Sequence, residues 1–220
     1  MPKIFGIDVA RQGDDRSAIV CRQGRRVRLL GLYRGIDTVE LAHNAIALIE
    51  SEKPAAVVVD ATGLGVGTVD ELKHCGYRRL VHEFMAGGKA MNNNKHANKR
   101  AEAWDAMRAA LTAGIELPDD PDWETDLCGT EFGFNNKGAI QLERKDMMKS
   151  RGLPSPDLGD SLAMTFAVNV ASSFRIPAVS TPINVQPGLG VESMDAVKGK
   201  YEPRRPYQGS CKGRDSRDTE

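Results

Sequence analysis

Two rhythms of apolar residues run along this chain. Short runs that alternate, or that are apolar throughout, read as strands over residues 3–10, 17–21, 27–33, 55–60 and 79–84. Stretches with apolar residues three and four apart read as helices. Val39, Ala42, Ile46 and Ile49 make one face of a helix that Asp37-Thr38 caps and Pro54 stops. A second helix opens at the glycine-rich residues 61–67 and runs to about residue 73. Ala101, Trp104, Met107 and Leu111 mark a third, with Gly114 where a terminating glycine belongs. Asp120-Pro121 restarts a short one. Phe132 and Phe134, then Ile140 and Leu142, alternate with polar residues on either side of an Asn135-Asn136-Lys137-Gly138 turn, so a hairpin is expected. Residues 158–174 are apolar almost all round, as in a buried helix.

The Gln23-Gly24-Arg25 turn joins the second and third strands, which makes the first three an antiparallel meander. The unbroken apolar run at 55–60 is of the buried, parallel kind. The expected fold is therefore α/β: a five-stranded mixed sheet of a meander plus two parallel strands, flanked by helices, with an extra β-hairpin before the last helix. Residues 1–174 form one domain in this reading. Residues 175–220 are rich in proline, glycine and charge and read as a mostly disordered tail. No internal repeat is visible.

Composition narrows the function. At 220 residues the chain can bury a sizeable core. Thirty Lys and Arg against thirty Asp and Glu give no net charge, so binding to nucleic acid would rest on local patches or on a partner. Cys21, Cys75, Cys128 and Cys211 show no C-x-x-C and no histidine at zinc-ligand spacing, which suggests free buried thiols in a reducing compartment. No charged-then-apolar leader and no apolar run of membrane length occurs, so a soluble protein inside the cell, without a membrane partner, is expected.

The candidate chemistry lies in aspartates at element ends. In the first strand Ile4, Gly6 and Asp8 face one way and Phe5, Ile7 and Val9 the other. Asp8 thus emerges among apolar neighbours, where a carboxylate is costly unless a cation meets it. Asp60 ends the fourth strand in the same manner. Asp157 and Asp160, at i and i+3, share a face of the last helix's first turn. Carboxylates gathered from these elements repel one another unless divalent metal joins them, and all-oxygen ligation suits Mg2+ or Mn2+. Two such ions would activate a water and stabilise the leaving oxygen of a phosphodiester. Asp157, directly after Ser155-Pro156, also suits a cap, so Asp160 is the stronger ligand candidate. Asp14 and Asp15 read as turn residues, and His43, His74, His82 and His96 share no spacing. Gly63, Gly65 and Gly67 lack the following Lys-Ser/Thr of a phosphate loop.

Phe5-Gly6-Ile7-Asp8-Val9-Ala10 with Gly13-Asp14-Asp15 resembles the opening of the nuclease domain of tailed-bacteriophage large terminases. So does Val57-Val58-Val59-Asp60-Ala61-Thr62-Gly63-Leu64-Gly65-Val66-Gly67. Asn98-Lys99-Arg100-Ala101-Glu102-Ala103-Trp104, Gly114-Ile115-Glu116-Leu117-Pro118 and Ser155-Pro156-Asp157-Leu158-Gly159-Asp160-Ser161-Leu162-Ala163 match further blocks in order. The resemblance spans about residues 3–174 and implies an RNase H-like fold. It also implies a metal-dependent endonuclease that cuts concatemeric viral double-stranded DNA during packaging, in the host cytoplasm, leaving 5′-phosphate and 3′-hydroxyl ends. Its catalytic acids would be Asp8, Asp60 and Asp160, holding two Mg2+ or Mn2+ ions with Asp157 as a possible fourth ligand. The implied partners are a terminase ATPase domain, the small terminase subunit and the portal. One departure is Gly159-Asp160-Ser161, where the family more often has Ala-Asp-Ala. Another is that no G-x-x-x-x-G-K-[ST] occurs here, so the chain reads as a nuclease without its own motor.

DNA phosphates would meet Lys137 at the hairpin tip and Arg144, Lys145, Lys149 and Arg151 after it, with Lys89, Lys95, Lys99 and Arg100 as a second cluster. Alternatives on other grounds are a resolvase or transposase of the same fold, an actin- or sugar-kinase-type ATPase, and a non-catalytic interaction module of a packaging motor.

Overall fold

The computed structural model describes residues 1–10 and 15–170. Asp14, Cys211 and the expected tail lie outside the described residues.

The first strand, β1 (Lys3–Asp8), is central. Antiparallel to it runs β2 (Ser17–Gln23), then β3 (Arg26–Tyr33), joined through Gly24 in a left-handed conformation (φ 63°). On the other side lie the parallel strands β4 (Ala56–Asp60) and β5 (Val81–Phe84), giving the order β3-β2-β1-β4-β5. The expected five-stranded mixed sheet is therefore present. The fifth strand starts at Val81 rather than at residue 79, because Leu80 closes a turn through its backbone N–H to the Tyr77 carbonyl. Register carries the functional consequence. Gly6 pairs with Val58 and Ile7 with Val59, so Asp8 and Asp60 sit level at the carboxyl ends of neighbouring parallel strands. Ligands of open α/β sheets bind at such ends, where connections diverge.

Period-2 alternation sends the two faces of β1 into different layers. Phe5 and Ile7 pack with Leu41 and Ile49 of α1 (Thr38–Glu52) and with Leu72 of α2 (Gly65–Leu72). Asp37 caps α1 through the N–H groups of Val39 and Glu40, an arrangement worth about 1 kcal/mol. The glycines ahead of and within α2 answer to packing: a Cβ on Gly65 would lie 1.7 Å from the Asp60 carbonyl oxygen. After α2 a π-helical turn (Lys73–Tyr77) leaves through Gly76 at φ 95°.

Ile4 and Val58, on the opposite face, pack with Trp104 and Met107 of α3 (Lys99–Thr112), Trp123 of α4 (Pro121–Gly129), and Leu158 and Leu162 of α6 (Asp157–Met164). The expected hairpin is formed by β6 (Phe132–Phe134) and β7 (Ile140–Leu142). A short helix between it and α6, α5 (Lys145–Ser150), was not expected from the sequence.

Helix α6 fixes the rest. All eight of its residues are buried, and Leu158 and Leu162 alone contribute roughly 1.5–3 kcal/mol each, which offsets the burial of Asp157 and Asp160. The helix lies directly on β1, since a Cβ on Gly6 would come within 1.9 Å of the Ser161 carbonyl oxygen. Ser161 Oγ accepts the Asp8 backbone N–H (3.1 Å) and donates to the Ala18 carbonyl (3.0 Å), so the helix is pinned across β1 and β2.

The expectation that this helix continues to residue 174 is corrected, because it ends at Met164. Thr165, Phe166 and Ala167 bond three residues back instead of four. Arg22 draws the Thr165 carbonyl and hydroxyl outward at 2.7 and 2.9 Å, so apolar pattern alone overran the helix. Residues 171–174 lie outside the described residues.

The reading of Asp157 as a cap is also corrected. Pro156 occupies the cap position without a side-chain bond, and Asp126 of α4 reaches across to accept the Leu158 N–H at 2.8 Å. Burial and the neighbouring Asp157 push the Asp126 carboxyl up to about 8, against the opposing N–H groups of Leu158 and Gly159 and the charge of Arg16.

Two outcomes follow from this packing. Gly6→Ala should lower unfolding free energy by at least ~3 kcal/mol, because the added methyl meets helix backbone rather than a yielding side chain. Gly87→Ala, where nothing lies within 4 Å, should be near neutral in the same urea titration. Folding raises the Asp126 pKa, so the native state holds that proton more tightly than the unfolded chain. Its stabilising contribution is full below about pH 4 and is lost as pH climbs through about 8. Asp126→Asn should therefore remove part of the alkaline loss of stability, read as urea midpoints at pH about 5 and about 8.5.

Candidate metal centre

Asp8 and Asp60 leave their strands into one cleft, and α6 brings Asp160 and Asp157 to its wall. A recess of about 40 Å³ is lined by Asp8, Asp60, Asp160, Arg100, Trp104 and Lys145. An adjoining cleft of about 350 Å³ shares Asp8, Asp60, Arg100 and Lys145 and adds Asp15 and Asp157. The four predicted acids are thus brought to one place in the fold.

Each acid has a different environment. Asp160, buried, accepts Arg100 Nε at 2.8 Å and Trp104 Nε1 at 2.8 Å on Oδ1, and Lys145 Nζ at 3.1 Å on Oδ2. Burial disfavours its charge, but Arg100, Lys145 and the Trp104 N–H outweigh burial and hold its pKa down at about 2. Asp8 is 3 % exposed and, among the described residues, meets Lys145 Nζ at 3.3 Å from Oδ2. Burial pushes its pKa up to about 8, with Asp160, Asp157 and Asp60 adding to the rise and Lys145 opposing it. Asp60 is half-buried and its Oδ1 accepts the Thr62 N–H at 2.9 Å, which orders the turn after β4. Asp157 Oδ2 accepts the Arg16 backbone N–H at 3.1 Å, and Arg16 Nη1 also binds the buried Asp122 at 2.8 Å. Arg16 therefore holds Asp157 from behind. Asp15, expected as a turn residue, lines the cleft and meets Lys149 at 3.0 Å.

The donor set fits a divalent cation. Lys145 Nζ already bridges an oxygen of Asp8 and one of Asp160, the position a shared cation would take. Burial is the main cause of the raised Asp8 pKa, and Asp160, Asp157 and Asp60 add to it against Lys145, so further positive charge beside Asp8 would be favoured. The donors are oxygen only, which suits Mg2+ or Mn2+. Among the described residues, the set that brings three donor atoms within 4.8 Å of one another is His43, Glu71 and Cys75, on the other helical layer. The acids of the cleft are instead spread around Lys145.

Sequence reasoning missed Arg100 and Trp104 as partners of Asp160. They stand at i and i+4, on one face of α3, with the guanidinium 5.7 Å from the indole ring centre. Arg100 had been grouped with surface cations, yet its Nη1 donates to the Glu143 carbonyl at 3.0 Å and its Nε faces the acid. The Gly159-Asp160-Ser161 departure acquires a reason: a Cβ on Gly159 would meet Trp104 at 2.7 Å, and Ser161 supplies the pin to β1. Of the expected phosphate contacts, Lys145 lies in the cleft. Arg144 pairs with Asp146 at 3.0 Å, and Arg151 pairs with Glu131 at 3.3 Å and with Glu143. Lys137 stands at the hairpin tip. Cys21 is buried, Cys75 half-buried and Cys128 exposed, so the expectation of buried thiols is corrected. No helix among the described residues is long and apolar enough to cross a membrane.

No family model and no curated protein matches this chain. Solved structures do. A point mutant of the nuclease domain of the large terminase subunit gp2 of bacterial virus Sf6, with manganese and beta-thujaplicinol, aligns at TM-score 0.65 and 21 % identity, over 77 % of this chain and 90 % of that one. The large terminase nuclease from thermophilic phage G20c aligns at TM-score 0.59 both with magnesium (16 % identity) and with cobalt (18 % identity), over 76 % of this chain and 80 % of those. The chain therefore has the RNase H-like fold of large-terminase nuclease domains.

Proposed function

We propose that this chain is a divalent-metal-dependent endonuclease that hydrolyses phosphodiesters of double-stranded DNA during viral genome packaging. The observation that carries the reading is the convergence of Asp8, Asp60 and Asp160 on one cleft, with Lys145 bridging two of them. Its fold is that of nuclease domains whose solved structures contain manganese, magnesium or cobalt. In this reading Asp8, Asp60 and Asp160 would hold two Mg2+ or Mn2+ ions, with Asp157 as a fourth ligand. Bound there, divalent ions polarise a phosphoryl oxygen and lower the pKa of a water.

The protein's own residues do the positioning. Arg100 and Trp104 keep the Asp160 carboxylate ionised and fixed in rotation. Arg16 holds Asp157 against the cleft wall. Asp8, whose pKa burial raises, would have to be ionised to hold a dication, so metal binding there would weaken as pH falls. Lys145, 41 % exposed in its side chain, is released from the two acids to meet a backbone phosphate. Lys149, Arg144, Arg151 and Lys137, on α5 and its flanks and on the hairpin, supply further phosphate contacts. Those contacts set register without reading sequence. With no net charge on the chain, binding by the isolated protein is weak and falls steeply with salt. A terminase ATPase, the small subunit and the portal are the partners such a nuclease would serve in the host cytoplasm. Residues 1–174 would be its nuclease domain.

Asp8→Asn and Asp160→Asn should each keep the wild-type circular dichroism spectrum yet lose roughly a hundredfold or more of Mg2+- or Mn2+-dependent plasmid cleavage. EDTA should abolish cleavage by the wild type. Undiminished cutting by Asp8→Asn removes the acid cleft from the mechanism, and a preference for branched over linear duplex would favour a resolvase instead. Lys145→Ala should tighten Mn2+ binding in calorimetry, because the ammonium no longer competes for the same oxygens; equal or weaker binding contradicts this account of Lys145.

A further inference from the structure

We propose that His43, Glu71 and Cys75 form a second metal site, selective for zinc-class ions such as Zn2+ and Co2+, between the two helices on the sheet face opposite α3 and α6. His43 comes from the middle of α1. Glu71 stands near the end of α2, and Cys75 one turn further, in the π-helical turn before Gly76. The two segments approach closely for a visible reason. A Cβ on Gly67 would lie 2.7 Å from Thr38 Oγ1, and Thr68 Oγ1 donates to the Thr38 carbonyl at 3.2 Å. Small contacts at this end of the pair bring the next turns level, and His43 reaches Glu71.

The distances match a tetrahedral ion. Zn–N and Zn–O bonds of ~2.1 Å and a Zn–S bond of ~2.3 Å, at the tetrahedral angle, separate N from O by ~3.4 Å and S from O by ~3.6 Å. Here His43 Nε2 lies 3.3 Å from Glu71 Oε1, and Cys75 Sγ lies 3.5 Å from the same oxygen. All three donor atoms fall within 4.8 Å of one another. An imidazole nitrogen, a thiolate and a carboxylate suit zinc or cobalt and are refused by Mg2+, which demands oxygen. Because the His43 side chain is 47 % exposed, the fourth coordination position opens to water. A bound ion would clamp α1 to the end of α2. It would also stabilise the folded chain by mass action, independently of the acid cleft.

The test uses the full chain carrying Asp160→Asn, so that the cleft contributes little to metal uptake. Titrated with Co2+, it should develop a thiolate-to-cobalt charge-transfer band that saturates at one equivalent. The band should bleach with Zn2+ and persist in excess Mg2+. Cys75→Ser should abolish it, and His43→Ala, at an exposed position that leaves packing untouched, should weaken Co2+ binding at least tenfold. Absence of the band, its persistence in Cys75→Ser, or unchanged affinity in His43→Ala overturns the site. In that case the three side chains are a hydrogen-bonded tie between helices and no more.

Discussion

Among the described residues, acids outnumber cations in the cleft at the carboxyl ends of β1 and β4, and that shortfall of positive charge governs the electrostatics there. Arg100 and Lys145 stand against Asp8, Asp60 and Asp160. In a buried site the deficit cannot be spread into solvent. Burial pushes the Asp8 pKa up to about 8, with Lys145 opposing the rise, while Asp160, with three donors, is held down at about 2. Two aspartates of the same intrinsic acidity thus differ because of what surrounds them. The protonated one is the central one, placed between β4 and α6, where a shared cation would relieve the charge most.

This arrangement depends on how closely α6 can approach β1. Asp160 is useful only where its oxygens and those of Asp8 flank one ammonium, and that requires helix backbone against strand backbone. Gly6 permits the approach, Ser161 fastens it to β1 and β2, and Gly159 admits the indole of Trp104 from α3. The two residues around Asp160 therefore each do a separate job. Asp126 completes the frame by capping a helix whose own cap position holds proline. Its burial beside Asp157 costs stability at high pH, a sign that position rather than stability determined its place.

The strands and their terminal acids were legible in the sequence because a period of two fixes which residues face together. The parallel pairing of β1 with β4, seen in the structure, then puts Asp8 beside Asp60. Asp160 was legible from its i, i+3 relation to Asp157 on an apolar helix. The cations were not. Lys145 and Arg100 sit in charged stretches that look like solvated surface, and only the fold brings them 15 and 60 residues along the chain to Asp160. The end of α6 was missed for a related reason: the apolar pattern continues past Met164, but Arg22, from β2, captures Thr165. Similarly, local spacing hid the meeting of His43 with Glu71, since β4 intervenes between α1 and α2.

The two cations of the cleft are not equivalent, and the difference lies in the elements that carry them. Arg100 belongs to α3, a helix packed into the core beside Trp104, and its guanidinium is tied to both Asp160 and the Glu143 carbonyl. Lys145 opens α5, a six-residue helix with only Met148 buried, and its side chain stays 41 % exposed. Removing Arg100 would leave the buried Asp160 with Lys145 and the Trp104 N–H alone, a loss of several kcal/mol in comparable buried pairs. Lys145 is held only by attraction to Asp8, Asp160 and Asp157, which raises its pKa against burial, and its side chain reaches solvent. A dication entering from the larger cleft would therefore replace the lysine and leave the arginine in place. In the proposed reading Arg100 is thus the permanent counter-charge, which keeps Asp160 ionised and oriented, and Lys145 the one that a bound ion would displace.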